Sequence, residues 1–370
     1  MYGGTILQLD LAQKVHVYYL LIIELSFTIY VLLSFALRTR ADIYSVKGNI
    51  TGTLKRPKLM WFFFILSLTI SFLYYRALGY NLISLIISGV SSQEISTLRL
   101  ESYSGSTYYA PGYVNQFKNI LLPLTFTILL FRSWKNRRRL EMLILILLLP
   151  LVLLFILGTG QRAFLVYTFV CVYIGLIRII RVRRSFQIFG AASVVLLFGV
   201  SSYYLGRISD VSFVSIMNGL LERVLLTEQH DSIVGFEYVF SKSIQFGKDW
   251  AQSLLGILPG HKGSTLQHEI FKIMHGTDRG TGAISTLGSI YYNFDFIGVI
   301  ICTSLVGLLH YKLDRIFYTK RLSIDEVFIF AFLIFYVGNW VSGDIMYLFN
   351  KGVIALLLLL FLLKFRISNG

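Results

Sequence analysis

The chain has 370 residues, 55% of them hydrophobic and 14% charged, with a mean hydropathy of +0.69. That leaves too little polar surface to clothe a soluble domain. A formal net charge of +15 invites a nucleic-acid reading, but the placement of the charge excludes it. Five short segments (Arg38 to Lys58, Arg132 to Glu141, Arg178 to Arg184, Lys312 to Glu326, and Lys364 with Arg366) hold 21 of the 34 basic and 5 of the 19 acidic residues. Elsewhere 13 basic residues face 14 acidic ones. A basic excess confined to short loops between apolar runs marks those loops as cytoplasmic.

In chain order, the opening MYGGTILQLDLAQK lacks the basic, apolar and small-residue sequence of a removable signal peptide, so none is expected. Apolar runs of a length suited to ~30 Å of hydrocarbon follow at His16–Ala36, Leu59–Tyr75, Phe117–Phe131, Met142–Leu157, Ala163–Ile179, Phe186–Tyr204, Ile290–Leu309, Val327–Val341 and Ile345–Leu363. The expected fold is all-α, a polytopic transmembrane helix bundle of nine spans, or ten if the first fifteen residues hold another. It divides into amino-terminal spans (1–205), one long outer loop (206–288) and carboxy-terminal spans (289–370). In the long loop, Phe213, Met217, Leu220, Leu221 and Val224 recur with helical spacing, as do Ile233, Phe236, Phe240 and Ile244. A third loop helix is expected between a capping box at Ser264 and Gln267 and a stop at Gly276. No internal repeat is visible, which disfavours a transporter built from duplicated bundles. Cys171 and Cys302 both fall in apolar runs and imply neither a disulfide nor a metal framework.

Two outward sites look alike. Gly158-Thr159-Gly160-Gln161-Arg162 opens the fifth span, and Arg279-Gly280-Thr281-Gly282 precedes the seventh. Both spans run inward, so each begins with unpaired backbone N–H groups and partial positive charge beside a guanidinium. Each suits an anion, and the two together suit a pyrophosphate; the plainer alternative is a turn whose arginine meets lipid headgroups. Arg223 flanks the first loop helix, where it either enters a cavity or snorkels, while Arg207 is placed as an edge anchor. Arg99 lies near Tyr103, Tyr108, Tyr109 and Tyr113, residues suited to stacking on sugars or to an interfacial belt. His230, His261, His268 and His275 share the long loop, but His268 and His275 are two helical turns apart and no zinc-ligand spacing occurs, so no metal is expected. One of these four histidines serves better as a general base, with Glu228, Asp231 and Asp278 as competitors, and the sequence does not choose among them. Glu24 and Lys351, ionisable groups in or at the end of spans, are functional candidates or buried partners.

On the strength of Gly158–Leu165 (GTGQRAFL), the single long outer loop and Ser285–Gly298 (STLGSIYYNFDFIG), the chain resembles the Wzy-type O-antigen and capsule repeat-unit polymerases. These belong with the O-antigen ligases among membrane glycosyltransferases of the GT-C type. The resemblance implies a GT-C-like fold in a bacterial cytoplasmic (inner) membrane with a periplasmic or extracellular active face, and no cofactor. It implies two undecaprenyl-diphosphate-linked oligosaccharides as substrates, with a flippase and a chain-length regulator of the same pathway as partners beside the lipid bilayer. The growing chain is the donor; a hydroxyl of the incoming unit attacks its anomeric carbon and undecaprenyl diphosphate leaves. The carry-over puts Arg162 on the family's arginine at the head of an inward span, and Arg223 and Arg279 on its loop arginines. Gly160, Gln161, Gly280, Thr281, Gly282, Arg99 and Tyr291 are then the expected substrate contacts. Related ligases carry a loop histidine aligned with Thr281–Ser285; this chain has none there, and His275 is the nearest. An O-antigen ligase-type transferase, a lipid-linked-sugar flippase and a non-enzymatic assembly subunit are the alternatives.

Overall fold

The computed structural model describes residues 50–51, 56–91, 94–95, 98, 111–160, 162–179, 188, 190, 192–193, 212–221, 228–256, 263–276, 282, 284–338 and 352–364. These are overwhelmingly helical. The expected spans His16–Ala36 and nearly all of Phe186–Tyr204 lie outside the described residues. Four helices, Pro57–Leu78, Tyr113–Lys135, Arg139–Leu157 and Thr286–Thr319, are long and apolar enough to cross a membrane, and Ala163–Ile179 and Val353–Lys364 are shorter and apolar. The chain is a membrane protein by this measure. It divides into two compact units, one made of Lys47–Leu220, Phe317–Val337 and Phe349–Gly370, the other of Met1–Val46, Leu221–Ile316 and Gly338–Leu348.

In the first unit, β1 (Ile50–Thr51) pairs in parallel with β2 (Leu322–Ser323), Ile50 opposite Leu322. Helix α1 (Pro57–Leu78) starts on a proline, whose missing N–H costs nothing in a first turn, and stops at Gly79 with φ 82. Met60, Phe63, Phe64, Ser67, Ser71, Tyr74, Tyr75 and Leu78, spaced three and four apart, form its buried face. Phe62, Ile65, Phe72 and Leu73 cover the other face at 54–57% exposure, an apolar surface that suits lipid and not water. After α2 (Leu82–Ile87), the next span is composite: α3 (Pro111–Asn115), a π-helical turn at Gln116–Leu121, then α4 (Leu122–Lys135). Pro123 explains the widened turn, because a proline there cannot donate to the carbonyl four residues back. The expected Phe117–Phe131 span is therefore longer, and its first turn is not α-helical.

Helix α5 (Arg139–Leu157) buries Leu145, Val152, Phe155 and Ile156 and leaves most of its other leucines and isoleucines exposed. It is followed by α6 (Arg162–Ile179). At the centre of the unit is α12 (Ile324–Gly338), buried almost throughout from Ile324 to Val337. Its start carries half of a Ser-x-x-Glu capping box: the N–H and hydroxyl of Ser323 donate to Glu326 Oε2 at 2.9 and 2.8 Å, while the Glu326 N–H donates to Asp325 Oδ1 at 3.1 Å. Gly175 of α6 admits the Phe328 ring, since a Cβ there would lie 2.6 Å from Phe328 Cδ1. Helix α13 (Val353–Lys364) buries Leu356, Leu359, Leu360 and Leu363. Two features gather at the end of the unit where α6 finishes: Arg178 Nε donates to Phe317 O at 3.0 Å, and Phe317 lies just ahead of the strand that pairs with β1. Helix α7 (Phe213–Leu221) turns its apolar stripe differently from the expected Phe213/Met217 face: Ile216 is buried, whereas Phe213 is 74% exposed.

The second unit packs α8 (Glu228–Phe240), α9 (Lys248–Leu255), α10 (Leu266–His275) and most of α11 (Thr286–Thr319). Phe236, Val239, Leu266, Ile270, Ile284, Leu287, Ile290 and Val299 make its core. The expected loop-helix stripe thus holds at Phe236 and Phe240, while Ile244 lies past the end of α8. The composition of 248–255 announces no helix, yet α9 forms there. Gly276, with φ 70, stops α10 as its position predicts, but the expected capping box does not form: Thr265 is the first boundary residue, and Ser264 Oγ accepts the Leu266 N–H at 3.1 Å while its hydroxyl donates to Asp249. Helix α11 breaks at Asp295 (φ 60, ψ −168), whose carboxylate accepts the Phe296 N–H at 2.7 Å. The part before the break carries Leu287 and Ile290 of the core; the part after it adds Val299 but exposes Ile297, Ile300, Ile301 and Leu305.

Candidate functional site

The first unit concentrates polar groups where α1 and α5 both finish. Tyr75, in the last turn of α1, donates its hydroxyl to Phe155 O at 2.7 Å and stacks on the Phe155 ring with centroids 5.7 Å apart. Asn81 caps α2 in the manner its residue type favours, accepting the Ile83 N–H at 3.0 Å, and its amide donates to Leu154 O at 3.0 Å. The Leu82 N–H then donates to Gly158 O at 2.8 Å. The α1–α2 corner is thereby tied to the last turn of α5.

Those bonds leave no space for a side chain at residue 158. A Cβ there would sit 2.3 Å from Asn81 Nδ2, 2.6 Å from Tyr75 Oη and 2.7 Å from Leu154 O. Gly160 has φ 71 and donates its N–H to Leu157 O at 2.7 Å, which reverses the chain into α6. Thr159 between them is buried, at 2% exposure. The Gly-Thr-Gly pattern is therefore a packed turn whose geometry is set by two other segments of the unit.

Into this turn reaches Lys118, from the π-helical segment. Its side chain is 1% exposed, and its ammonium donates to Thr159 Oγ1 at 3.2 Å and Tyr75 Oη at 3.4 Å. It lies 5.4 Å from the Tyr74 ring centroid and 5.5 Å from that of Tyr75, within cation–π range. Among the described residues no carboxylate pairs with it. Next to it, Asn119 is fully buried; its amide donates to Asn115 Oδ1 at 2.9 Å, and its own Oδ1 has no hydrogen-bond partner. A π-turn puts successive residues on the inside that an α-helix would divide between faces. A lysine embedded among apolar groups and held by neutral oxygens alone is a source of positive potential in its charged form, the form that an anion beside it favours.

The second unit holds a polar knot of its own. Asp249, at the start of α9, accepts from Ser264 Oγ and from Asn293 Nδ2, the latter at 3.3 Å. Asn293 Oδ1 accepts the Trp250 N–H at 3.2 Å, and the Trp250 indole donates to Ser289 Oγ at 2.9 Å. These bonds join α9, the start of α10 and α11. Beside them, the Tyr238 hydroxyl donates to Glu269, which also accepts from Thr265 Oγ1 at 2.7 Å. Desolvation, reinforced by the Glu269 carboxylate, pushes the Tyr238 phenol up to about 12; the hydrogen bonds from Tyr238 and Thr265 hold Glu269 below the usual carboxylate range.

Of the residues expected to act, Arg162 is the first residue of α6, and His275 the last of α10; their side chains lie outside the described residues, as do Arg99, Gln161, Arg223, Arg279, Gly280 and Thr281. The competitors Glu228 and Asp231 fall within α8. Gly160 and Gly282 are described, and both have committed their N–H groups to protein carbonyls, Gly282 to Gln267 O at 2.8 Å. A Cβ at Gly282 would meet Ile270 Cγ2 at 2.7 Å, so close approach to α10 is what this glycine serves. The Tyr291 ring stacks on Phe240 with centroids 4.7 Å apart and meets Phe296 edge-on, so one of its faces is already covered. Lys118, Asn119, Tyr75 and Asn81 were not foreseen as site residues. The available signal was a lysine inside an apolar run at the end remote from the basic loops.

No family model, curated protein or solved structure matches the chain.

Proposed function

We propose that this protein is a membrane glycosyltransferase of the repeat-unit polymerase type. It joins undecaprenyl-diphosphate-linked oligosaccharides on the outer leaflet by transferring the growing glycan to a new unit. The observation that carries the reading is the turn Gly158–Gly160, locked by Tyr75, Asn81 and Lys118, which leads after one residue into an apolar helix whose first residue is arginine. The first N–H groups of such a helix have no intrahelical acceptor and carry partial positive charge. With the Gly160 amide already engaged, the first turn of α6, which Arg162 opens, is the part of this segment proposed to meet the diphosphate. Most of the described basic residues of this unit are at the opposite helix ends, with Arg56 and Lys58 at the start of α1, Arg132 to Arg139 from the end of α4 to the start of α5, and Arg178 at the end of α6, against Arg76, Lys118 and Arg162 at the end that holds the turn. By the positive-inside rule this distribution supports placing the turn on the outer face.

In the proposed reaction the anomeric carbon–phosphate oxygen bond of the donor breaks as a glycosidic bond forms to the acceptor oxygen. The acceptor proton passes to a basic side chain, and the departing diphosphate gains a negative charge. Fixed cations and helix-terminus dipoles in a partly dehydrated site stabilise that charge without reorganising.

The test is reconstitution of the full chain in vesicles with one defined undecaprenyl-diphosphate-linked repeat unit. A ladder of products spaced by one repeat supports the reading. Arg162→Lys should weaken the ladder at least tenfold, because an ammonium lacks the bidentate fork. Absence of any ladder from wild-type protein, with the substrate recovered intact, refutes the function.

A further inference from the structure

We infer that Lys118 is the anion-receiving side chain at the end of α5, taking an oxygen of the diphosphate group of a lipid-linked substrate. The inference deepens the polymerase reading and rests on it for the identity of the ligand. Its basis is a mismatch between charge and partners. An ammonium has three N–H donors and no acceptor. Two point at neutral hydroxyls, at 3.2 and 3.4 Å, longer than the 2.7–2.9 Å typical of a bond to an anion. The residue is 1% exposed, so bulk water does not make up the difference, and no described carboxylate pairs with it. A buried cation left in this state is costly to keep, and an anion is the partner that relieves it.

The surroundings favour a diphosphate over a carboxylate. Thr159, the acceptor of one Lys118 bond, is the centre of the turn that leads into α6, so the ammonium and the amino-terminus of that helix are separated by a few residues of one short turn. Two sources of positive potential side by side match two linked phosphates. The hydroxyl oxygens of Tyr75 and Thr159 hold the ammonium in place; once Lys118 turns to a phosphate oxygen, the Thr159 hydroxyl can donate to it as well, while the Tyr75 O–H stays committed to Phe155 O. Tyr74 and Tyr75 form an aromatic wall, so the cation stays desolvated and its attraction is not screened.

The experiment measures binding by the full-length protein in nanodiscs to undecaprenyl diphosphate, to inorganic pyrophosphate and to undecaprenol, for wild type, Lys118→Met and Lys118→Gln. Expected is a drop of at least tenfold in affinity for undecaprenyl diphosphate in both variants, the loss typical of one charge-assisted hydrogen bond, with undecaprenol affinity unchanged and the thermal midpoint not lowered. Pyrophosphate that competes with the lipid in wild type but not in the variants identifies the diphosphate itself as the recognised group. Pyrophosphate that does not compete assigns the same Lys118 contact to a lipid headgroup. Unchanged undecaprenyl diphosphate affinity in a folded variant overturns the inference. So does an equal loss for diphosphate and alcohol, or a fall in thermal midpoint in both variants without a selective loss, either of which makes Lys118 a packing residue. Lys118-dependent diphosphate binding by a wild-type protein that forms no product ladder would sink the polymerase reading and leave the anion site standing.

Discussion

Replacing Gly158 by alanine adds one methyl group where the α5–α6 turn has no space for it. In isolation the change should be favourable: residue 158 has φ −61 and ψ −17, and glycine in that conformation gives up about 0.5–1 kcal/mol relative to alanine. Packing reverses the sign. The new Cβ would lie 2.3 Å from the Asn81 amide nitrogen and 2.6 Å from the Tyr75 hydroxyl, about an ångström inside ordinary contact. Both groups must withdraw, and both are bonded where they stand, Asn81 to Leu154 O at 3.0 Å and Tyr75 to Phe155 O at 2.7 Å. Two lost hydrogen bonds at about 1 kcal/mol each, with overpacking of about 1–3 kcal/mol, outweigh the propensity gain and leave a net loss of about 2–4 kcal/mol. The control is Gly79→Ala: φ is 82, but nothing lies within 4 Å of the added Cβ, so only backbone strain of about 1–2 kcal/mol applies. Equilibrium unfolding of both variants in mixed micelles should place Gly158→Ala below Gly79→Ala. If Gly158→Ala proves as stable as wild type, the Tyr75–Asn81–Gly158 knot is not a packing constraint and the argument for a built turn fails.

Ser323→Ala removes one of two donors to the buried Glu326 carboxylate and should cost about 1–2 kcal/mol, visible as a lower unfolding midpoint; a neutral result would mean the cap is unimportant to α12. Tyr238→Phe tests the Tyr238–Glu269 pair through pH. The folded state lowers the Glu269 pKa, so that contribution is present above the ordinary carboxylate value of 4.5 and fades as pH falls through the lower folded value. The folded state raises Tyr238 from 10.0 to about 12, so that contribution is full below 10.0 and lost as pH climbs towards 12. The stability gap between wild type and Tyr238→Phe should therefore be flat from pH 6 to 9 and narrow on both sides, and a gap independent of pH from 3 to 11 would contradict the pairing. Among the described residues no three His, Cys, Asp or Glu side chains gather closely enough to hold a metal, and the proposed site relies on fixed cations. Polymerisation should continue in EDTA; a ladder abolished by EDTA and restored by magnesium or manganese would show that a bound ion supplies the charge instead.

Much of the chain's one-dimensional logic is readable without coordinates. The apolar runs at Leu59–Tyr75, Met142–Leu157 and Ala163–Ile179 correspond to helices, as does Val327–Val341 as far as Gly338, because a long apolar run bordered by basic loops leaves the backbone few other ways to satisfy its hydrogen bonds. Gly276 was readable as a stop because an αL residue after a helix is nearly always glycine. The face that α7 buries was not readable: Phe213 and Ile216 are equally apolar, and a helical period names a stripe without saying what it meets. Helix α9 escaped notice for a related reason, since Asp249 is polar and its buried carboxylate is satisfied by Ser264 and Asn293, which arrive from elsewhere.

The sequence by itself determined that this is a helical membrane protein, where its basic loops lie and that glycine, threonine and arginine stand together at the head of a span. Those properties belong to composition and local period, which depend on neighbours a few residues away. Only the tertiary structure decided that Gly160 and Gly282 have no free N–H, that Tyr291 is already stacked on Phe240, and that Lys118 is buried against Thr159. Lys118 and Thr159 are 41 residues apart in the chain, and the contact exists because Pro123 widens one turn and Gly158 admits Tyr75 and Asn81. A contact of that kind depends on which helix faces meet, and packing settles that after the helices have formed.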